Sequence, residues 1–282
     1  MPPLPELPGV THADHALPTG VTLHVAEAGD PAAPPVLAVH GWPQHWWMWR
    51  HVIAALSPTR RVICPDLRGL GWSGQPADGD FAKARFADDL LALLDVLGIE
   101  RAGLLGHDWG GWASWLVALR APARVERLMA LSIVHPWPPR RAAALNAWRT
   151  AYQPLLAAPR LGPRAAVAFA RAALGRSMDA ATAAVYADVL EDPARAEASS
   201  LIYRHFLLRD LPALAQGRGV AAGVELPVRM LLGRHDPAIH PSQLGELARH
   251  VPGAELELVD GGHFIVDEQP ELVADRARAW FG

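Results

Sequence analysis

The segment Gly106-His107-Asp108-Trp109-Gly110-Gly111 sets a carboxylate among small residues, where an apolar run ends and a helical pattern begins. Such a turn can hold a nucleophile in a strained backbone conformation only if its neighbours two positions away are tiny, as Gly106 and Gly110 are. Gly111 lets the following helix approach the sheet. The helix N-terminus adds backbone N–H groups and the positive end of a dipole, and both favour an ionised carboxylate. Taken alone, the turn also admits a helix-capping aspartate. Two further segments argue for chemistry: Asp236 in Gly233-Arg234-His235-Asp236, and His263 in Asp260-Gly261-Gly262-His263-Phe264. Each lies just past an apolar run of strand length, at the edge where open α/β sheets build their sites.

The elements that must carry these residues can be read from the spacing of apolar positions. Val21 to Ala26 follows the turn Pro18-Thr19-Gly20 and reads as the second strand of a hairpin. Pro35 to His40, Arg61 to Cys64, Ala102 to Gly106 and Leu128 to Val134 read as strands, with helical patterns over Phe86 to Leu97 and Gly110 to Leu119. Strands alternating with helices predict a parallel sheet covered on both faces. From Trp137 to about Gly223 the alternation stops and proline-punctuated helical patterns take over. Val228 to Leu232 and Leu256 to Val259 resume as strands, with helices over Ser242 to His250 and Pro270 to Trp280. The expected organisation is therefore a core of residues 1–136 and 224–282, with a helical lid at 137–223 inserted into it.

Composition narrows the function classes. With 282 residues, 51% hydrophobic and 20% charged, the chain can bury a full α/β core. A net charge of −3, scattered arginines and Lys83 as the only lysine give no electrostatic case for nucleic acid or an anionic membrane. The proline-rich Met1 to Gly9 lacks the features of a signal peptide, and no stretch of about 20 residues is apolar enough to span a bilayer. A soluble, cytoplasmic protein is expected, and a homodimer is left open. Cys64 is alone and sits in what reads as a buried strand end, so neither a disulfide nor a cysteine nucleophile is favoured. Histidine is plentiful at 13, but His12, His15, His40, His45, His51 and His107 show no metal-ligand spacing with a nearby carboxylate, and no metal or cofactor is expected.

His40-Gly41-Trp42-Pro43, then Pro65-Asp66-Leu67-Arg68-Gly69 with Gly71-Trp72-Ser73, then the turn at Asp108 resemble the epoxide hydrolase and haloalkane dehalogenase branch of the α/β hydrolases. The resemblance spans nearly the whole chain and is thinnest in the lid. It implies an α/β-hydrolase fold with a mostly parallel eight-stranded sheet, helices on both faces and an inserted helical lid. It also implies Asp108 as nucleophile, His263 as base, Asp236 as its orienting acid, and the backbone N–H groups of Trp42 and Trp109 as oxyanion donors.

An aspartate at the nucleophile position points to a saturated carbon. Serine attacking such a carbon would be left as a stable ether, whereas aspartate forms an ester that activated water can cleave. Epoxide opening develops a basic alkoxide and calls for a proton donor, a role that tyrosine fills. Tyr152, in Tyr152-Gln153-Pro154, and Tyr203, before Arg204, resemble the two ring-opening tyrosines of epoxide hydrolases. His205 stands where that family often has Asn, and Tyr186 has no motif and is expected to pack. The implied substrate is a small-molecule epoxide, with water as co-substrate. A haloalkane dehalogenase, with the Trp109 indole on the halide, is the alternative. A haloacetate dehalogenase would have Arg after its nucleophile, and an inactive binding module would be expected to lose one of Asp108, Asp236 and His263.

Overall fold

The computed structural model describes residues 1–216 and 221–282. Its strands are β1 Val10–Ala16, β2 Thr22–Ala28, β3 Pro35–Val39, β4 Arg61–Pro65, β5 Ala102–His107, β6 Val125–Leu131, β7 Val228–Gly233 and β8 Glu255–Val259. They form one sheet of eight strands in the order β1-β2-β4-β3-β5-β6-β7-β8. The hairpin β1–β2 and the β2–β4 pair are antiparallel, and every later neighbour is parallel. This is the mostly parallel α/β sheet that the alternating pattern predicted.

Between the strands run α1 Arg50–Leu56, α2 Lys83–Val96 and α3 Asp108–Arg120. The helical insertion after β6 comprises α4 Arg140–Asn146, α5 Gln153–Leu156, α6 Gly162–Ser177, α7 Ala180–Ala187, α8 Pro193–His205 and α9 Leu211–Ala215. Beyond β7 come α10 Leu247–His250, α11 Ile265–Glu268 and α12 Pro270–Phe281. Among the described residues no helix is long and apolar enough to cross a membrane.

Alternate residues of the central strands feed two cores. Leu37 and Val39 of β3 pack with Phe86, Leu90 and Leu93 of α2, whereas Val36 and Ala38 join the opposite face with Val52 of α1 and Phe281 of α12. The period-2 alternation of a strand puts neighbouring side chains on opposite faces, so each face needs its own helical cover. Trp46 and Trp49 are wholly buried in the second of these cores, as packing residues.

Two elements depart from the sequence reading. β6 ends at Leu131 and not at Val134, because Ser132 turns out of the strand with φ +46°. The helix expected over Ser242 to His250 is two short pieces. Gln243 folds back onto the His240 N–H at 2.9 Å, and Gly245 is extended. Glu246 then takes a left-handed conformation, with φ +68°. The reciprocal cap starts the first turn, and the extended Gly245 with the left-handed Glu246 breaks the run before the apolar periodicity can carry it further.

The insertion is fastened to the sheet by a polar clasp. Tyr186 of α7 donates its hydroxyl to Asp267 Oδ2 at 3.0 Å. Arg50 donates to Asp267 Oδ1 at 2.6 Å and Gln44 to Oδ2 at 2.6 Å. Tyr186 was expected only to pack, and it does pack in a core, but its hydroxyl also satisfies a carboxylate that is 1% exposed. A Tyr186→Phe variant removes one donor from that buried acceptor, at a cost of about 1–3 kcal/mol. Calorimetry should show Tm falling by roughly 2–10 °C, and an unchanged Tm would show that the clasp bears no load.

Candidate active site

Asp108 is the first residue of α3 and follows β5 directly, with φ +48°. A non-glycine residue in that region is strained, and the surrounding glycines show why it is tolerated. A Cβ on Gly106 would stand 2.6 Å from the Gly111 Cα, and one on Gly110 would stand 2.2 Å from the His40 carbonyl oxygen. The turn can close only with hydrogen at both positions.

The side chains that the sequence singled out converge here. Asp108 Oδ2 accepts from the Trp42 amide at 3.0 Å, and the Trp109 amide also bonds this carboxylate. His263 Nε2 lies 3.9 Å from Asp108 Oδ1, so the two carboxylate oxygens face different surroundings. On its other side His263 Nδ1 meets Asp236 Oδ2 at 2.9 Å. Asp236 is buried, and its Oδ1 accepts from the amides of Ala238 at 2.7 Å and Ile239 at 2.9 Å. The aspartate is thereby locked in one rotamer, with its remaining oxygen aimed at the imidazole. His107, expected to pack behind the turn, does so, with Nε2 2.8 Å from the His263 carbonyl oxygen.

Electrostatics divide the group. Burial raises the Asp108 carboxyl to about 6, against the opposing pull of His263 and of the Trp109 and Trp42 amides. Burial also disfavours the His263 imidazolium, but Asp236 and then Asp108 outweigh it and lift the imidazole to about 9. Each partner's charge supports the other's, so the resting pair is an ion pair near neutrality.

Tyr152, just before α5, and Tyr203, on α8, face this pair from the insertion. They line the same cavity of about 670 Å³ as Asp108 and His263, and also a larger, mostly apolar one of about 1100 Å³. The two rings meet edge to face at 6.1 Å, and Tyr152 stacks on Phe169 at 4.5 Å. Tyr203 stands edge-on to Trp42 at 5.2 Å. Burial, with a contribution from the Asp108 charge, pushes the Tyr152 phenol to about 12. Burial, Tyr152 and Asp108 likewise hold the Tyr203 phenol well above its ordinary range. Both phenols thus stay protonated and remain hydrogen-bond donors.

Residues 34–270 match the family model described as the alpha/beta hydrolase fold. The chain belongs to the α/β-hydrolase family. This α/β hydrolase is 30% identical over 275 residues to the AB hydrolase superfamily protein YfhM of Bacillus subtilis, covering 90% of this chain and 92% of that one. It is 42% identical over 125 residues to the soluble epoxide hydrolase of a Corynebacterium strain, a match spanning 44% of this chain but only 42% of that relative. Among solved structures it resembles the epoxide hydrolase CorEH, with a TM-score of 0.79 and 28% identity, covering 96% and 98% of the two chains.

Several residues at the hydrolase's site escaped the sequence reading. Arg149, in the insertion, donates to the carbonyl oxygens of Asp236 at 3.3 Å and Pro237 at 3.1 Å, tying the acid's loop to the cap. Glu268 accepts from the amides of Gly262 and Phe264 on either side of His263 and adds to the charge that favours the imidazolium. Trp42 had been assigned a role only through its amide, yet its indole donates to Ser199 Oγ of α8 at 2.9 Å. Lys83 had been noted only as the lone lysine, and it is buried behind Trp109. Apart from the local contacts of Glu268, these join segments far apart in sequence, so no local motif announces them. The one signal on offer was Lys83 itself, a single retained lysine at the start of a helix.

Proposed function

We propose that this hydrolase converts an epoxide to a vicinal diol through a covalent ester on Asp108. The observation that carries the reading is the shared cavity, in which two neutral phenols face the carboxylate across the space that a substrate would fill. Asp108 Oδ1, the oxygen not held by the Trp42 amide, attacks a ring carbon, and the C–O bond breaks toward the epoxide oxygen. Tyr152 and Tyr203 hydrogen-bond that oxygen, and one of them delivers its proton. Oδ2 is then the ester carbonyl, already within reach of the Trp42 amide. His263, its resting proton passed to that tyrosinate, takes a proton from water, the resulting hydroxide adds to the Asp108 carbonyl carbon, and the amides of Trp42 and Trp109 hold the oxyanion. Collapse releases the diol and restores the carboxylate. Alkylation itself prepares the second step. Esterification removes the Asp108 charge that helped raise the imidazole, so His263 releases its proton more readily when a neutral base is needed.

Supplying styrene oxide and 1-bromobutane separately tests the assignment: diol from the first is expected, and bromide from the second without any diol would overturn it. A dehalogenase is the second reading, and one observation favours it. The Trp109 indole N–H is buried with no aligned acceptor among the described residues, although it still interacts with the Tyr203 phenol.

The pH dependence follows from the nucleophile. Attack needs the ionised form of Asp108, whose carboxyl titrates at about 6, above the ordinary aspartate range. For the free enzyme kcat/KM should therefore fall about tenfold per pH unit below 6. An acid limb at the ordinary carboxyl value, near 4, would show that this group does not govern attack.

A further inference from the structure

Lys83 is 1% exposed at the start of α2, inside the joint between sheet and insertion. Its Nζ donates to the carbonyl oxygen of Ile202 at 2.9 Å and to that of Phe81 at 3.3 Å. Ile202 immediately precedes Tyr203 on α8. The same ammonium lies 4.5 Å from the centroid of the Trp109 ring and 5.8 Å from that of Phe206. Charged and titratable groups around it come from both bodies: Asp80 before α2, Asp108 at the nucleophile turn, and His205, Arg209 and Asp210 at the end of α8 and in the π-helical turn after it. Asp210 Oδ2 accepts the Lys83 backbone N–H at 3.1 Å and stands 3.9 Å from Nζ.

Such a burial is costly. An ammonium taken out of water loses several kcal/mol of hydration, and an apolar side chain of similar size would fill the same space without that cost. What methionine or leucine would not supply is the bond to Ile202, the attraction to the Trp109 face and a positive charge behind the nucleophile.

We propose that Lys83 is a positioning residue, whose ammonium holds the backbone at Tyr203 and the ring of Trp109 in one register, so that a phenol donor and an oxyanion amide stay aligned over Asp108. The proposal rests on the epoxide reading of the site. Protonation strengthens both carbonyl bonds and supplies the attraction to the Trp109 face, and burial brings the Lys83 ammonium down to about 8, with Asp210, Asp108 and Asp80 opposing the fall. The alignment accordingly weakens as pH rises through that value.

The test is ester formation from styrene oxide in a His263→Gln parent, followed by rapid quench and intact mass. That parent lacks the imidazole, so no histidine titration at the site overlaps the alkaline range. Adding Lys83→Met should slow ester formation by roughly 10- to 100-fold, the scale of a small misplacement of reacting groups. Loss of the ammonium's desolvation cost opposes loss of its bonds to Ile202 and Phe81, so the fold should survive the change, and Tm serves as the control for folding. In the parent the rate should decline above pH 8, and in the Lys83→Met form that decline should be absent. Asp210→Asn in the same parent should move the decline to lower pH, and it carries the test if Lys83→Met does not fold. Ester formation at the parent rate, a decline that persists without the lysine, or one that Asp210→Asn leaves in place would each overturn the proposal. If the parent itself forms no ester, the epoxide reading has failed and this inference falls with it. A reacting parent matched by its Lys83→Met form refutes the lysine's role alone.

Discussion

A His263→Gln variant should stop with its substrate fixed to Asp108 as an ester, and steady-state turnover should fall by about two to four orders of magnitude. The expectation comes from the division of labour between the two carboxylate oxygens. Oδ1 lies on the side of the imidazole, whereas Oδ2 already has an amide donor. Alkylation needs the charge on Asp108 and a proton donor for the leaving oxygen, and both remain when His263 is replaced. Hydrolysis needs a base for water, and glutamine is none. The intact mass should therefore rise by the mass of one epoxide and stay raised. A variant that loses turnover but carries no adduct would sink the two-step scheme, because it would place His263 in the first step or remove the covalent intermediate altogether.

Replacing both ring-facing phenols should block the earlier step. In a Tyr152→Phe, Tyr203→Phe double variant the apolar walls of the cavity persist, but nothing donates to the opening oxygen. An alkoxide expelled without a donor is a poor leaving group, and loss of such stabilisation costs roughly 10²- to 10³-fold in kcat for each donor removed. Because the two rings line one cavity, under the proposed mechanism the single variants should lose less than their share and the double variant more than either. Single-turnover mixing should show ester formation itself slowed, in contrast to the His263 variant, where the ester forms and persists. Unchanged epoxide turnover in the double variant would remove both tyrosines from the mechanism. Bromide release from an alkyl bromide is a useful companion, since a halide leaves without a proton and should be far less sensitive to the same change.

The residues legible in the sequence share one property, a fixed place relative to a strand end. Asp108, Asp236 and His263 each follow a strand of the parallel sheet, and the sheet brings such ends together whatever lies between them. Trp42 was legible for the same reason, just past β3. The tyrosines were reached through short segments resembling a family pattern, and the structure brings both to the cavity although they lie 51 positions apart (203 − 152). What escaped was set by tertiary contact. Asp267, Gln44 and Arg50 are ordinary polar residues in a list of letters, and only folding unites them with Tyr186. The broken helix at Gly245 and Glu246 failed for a local reason instead, since apolar spacing outweighed the helix-breaking signal of Gly245 inside the run.

The enclosure of Lys83 leaves the folded protein without a side-chain amine in contact with solvent. Amine-acylating reagents reach that nitrogen only while the joint between α2 and α8 stands open. The ratio of its acylation rate in the native protein to that in denaturant then reports the free energy of opening at one chemically unique atom, under conditions where the rest of the molecule stays folded. A saturating product or inhibitor that closes the cavity should slow the labelling. The chain thus carries its own gauge of how often cap and sheet part company.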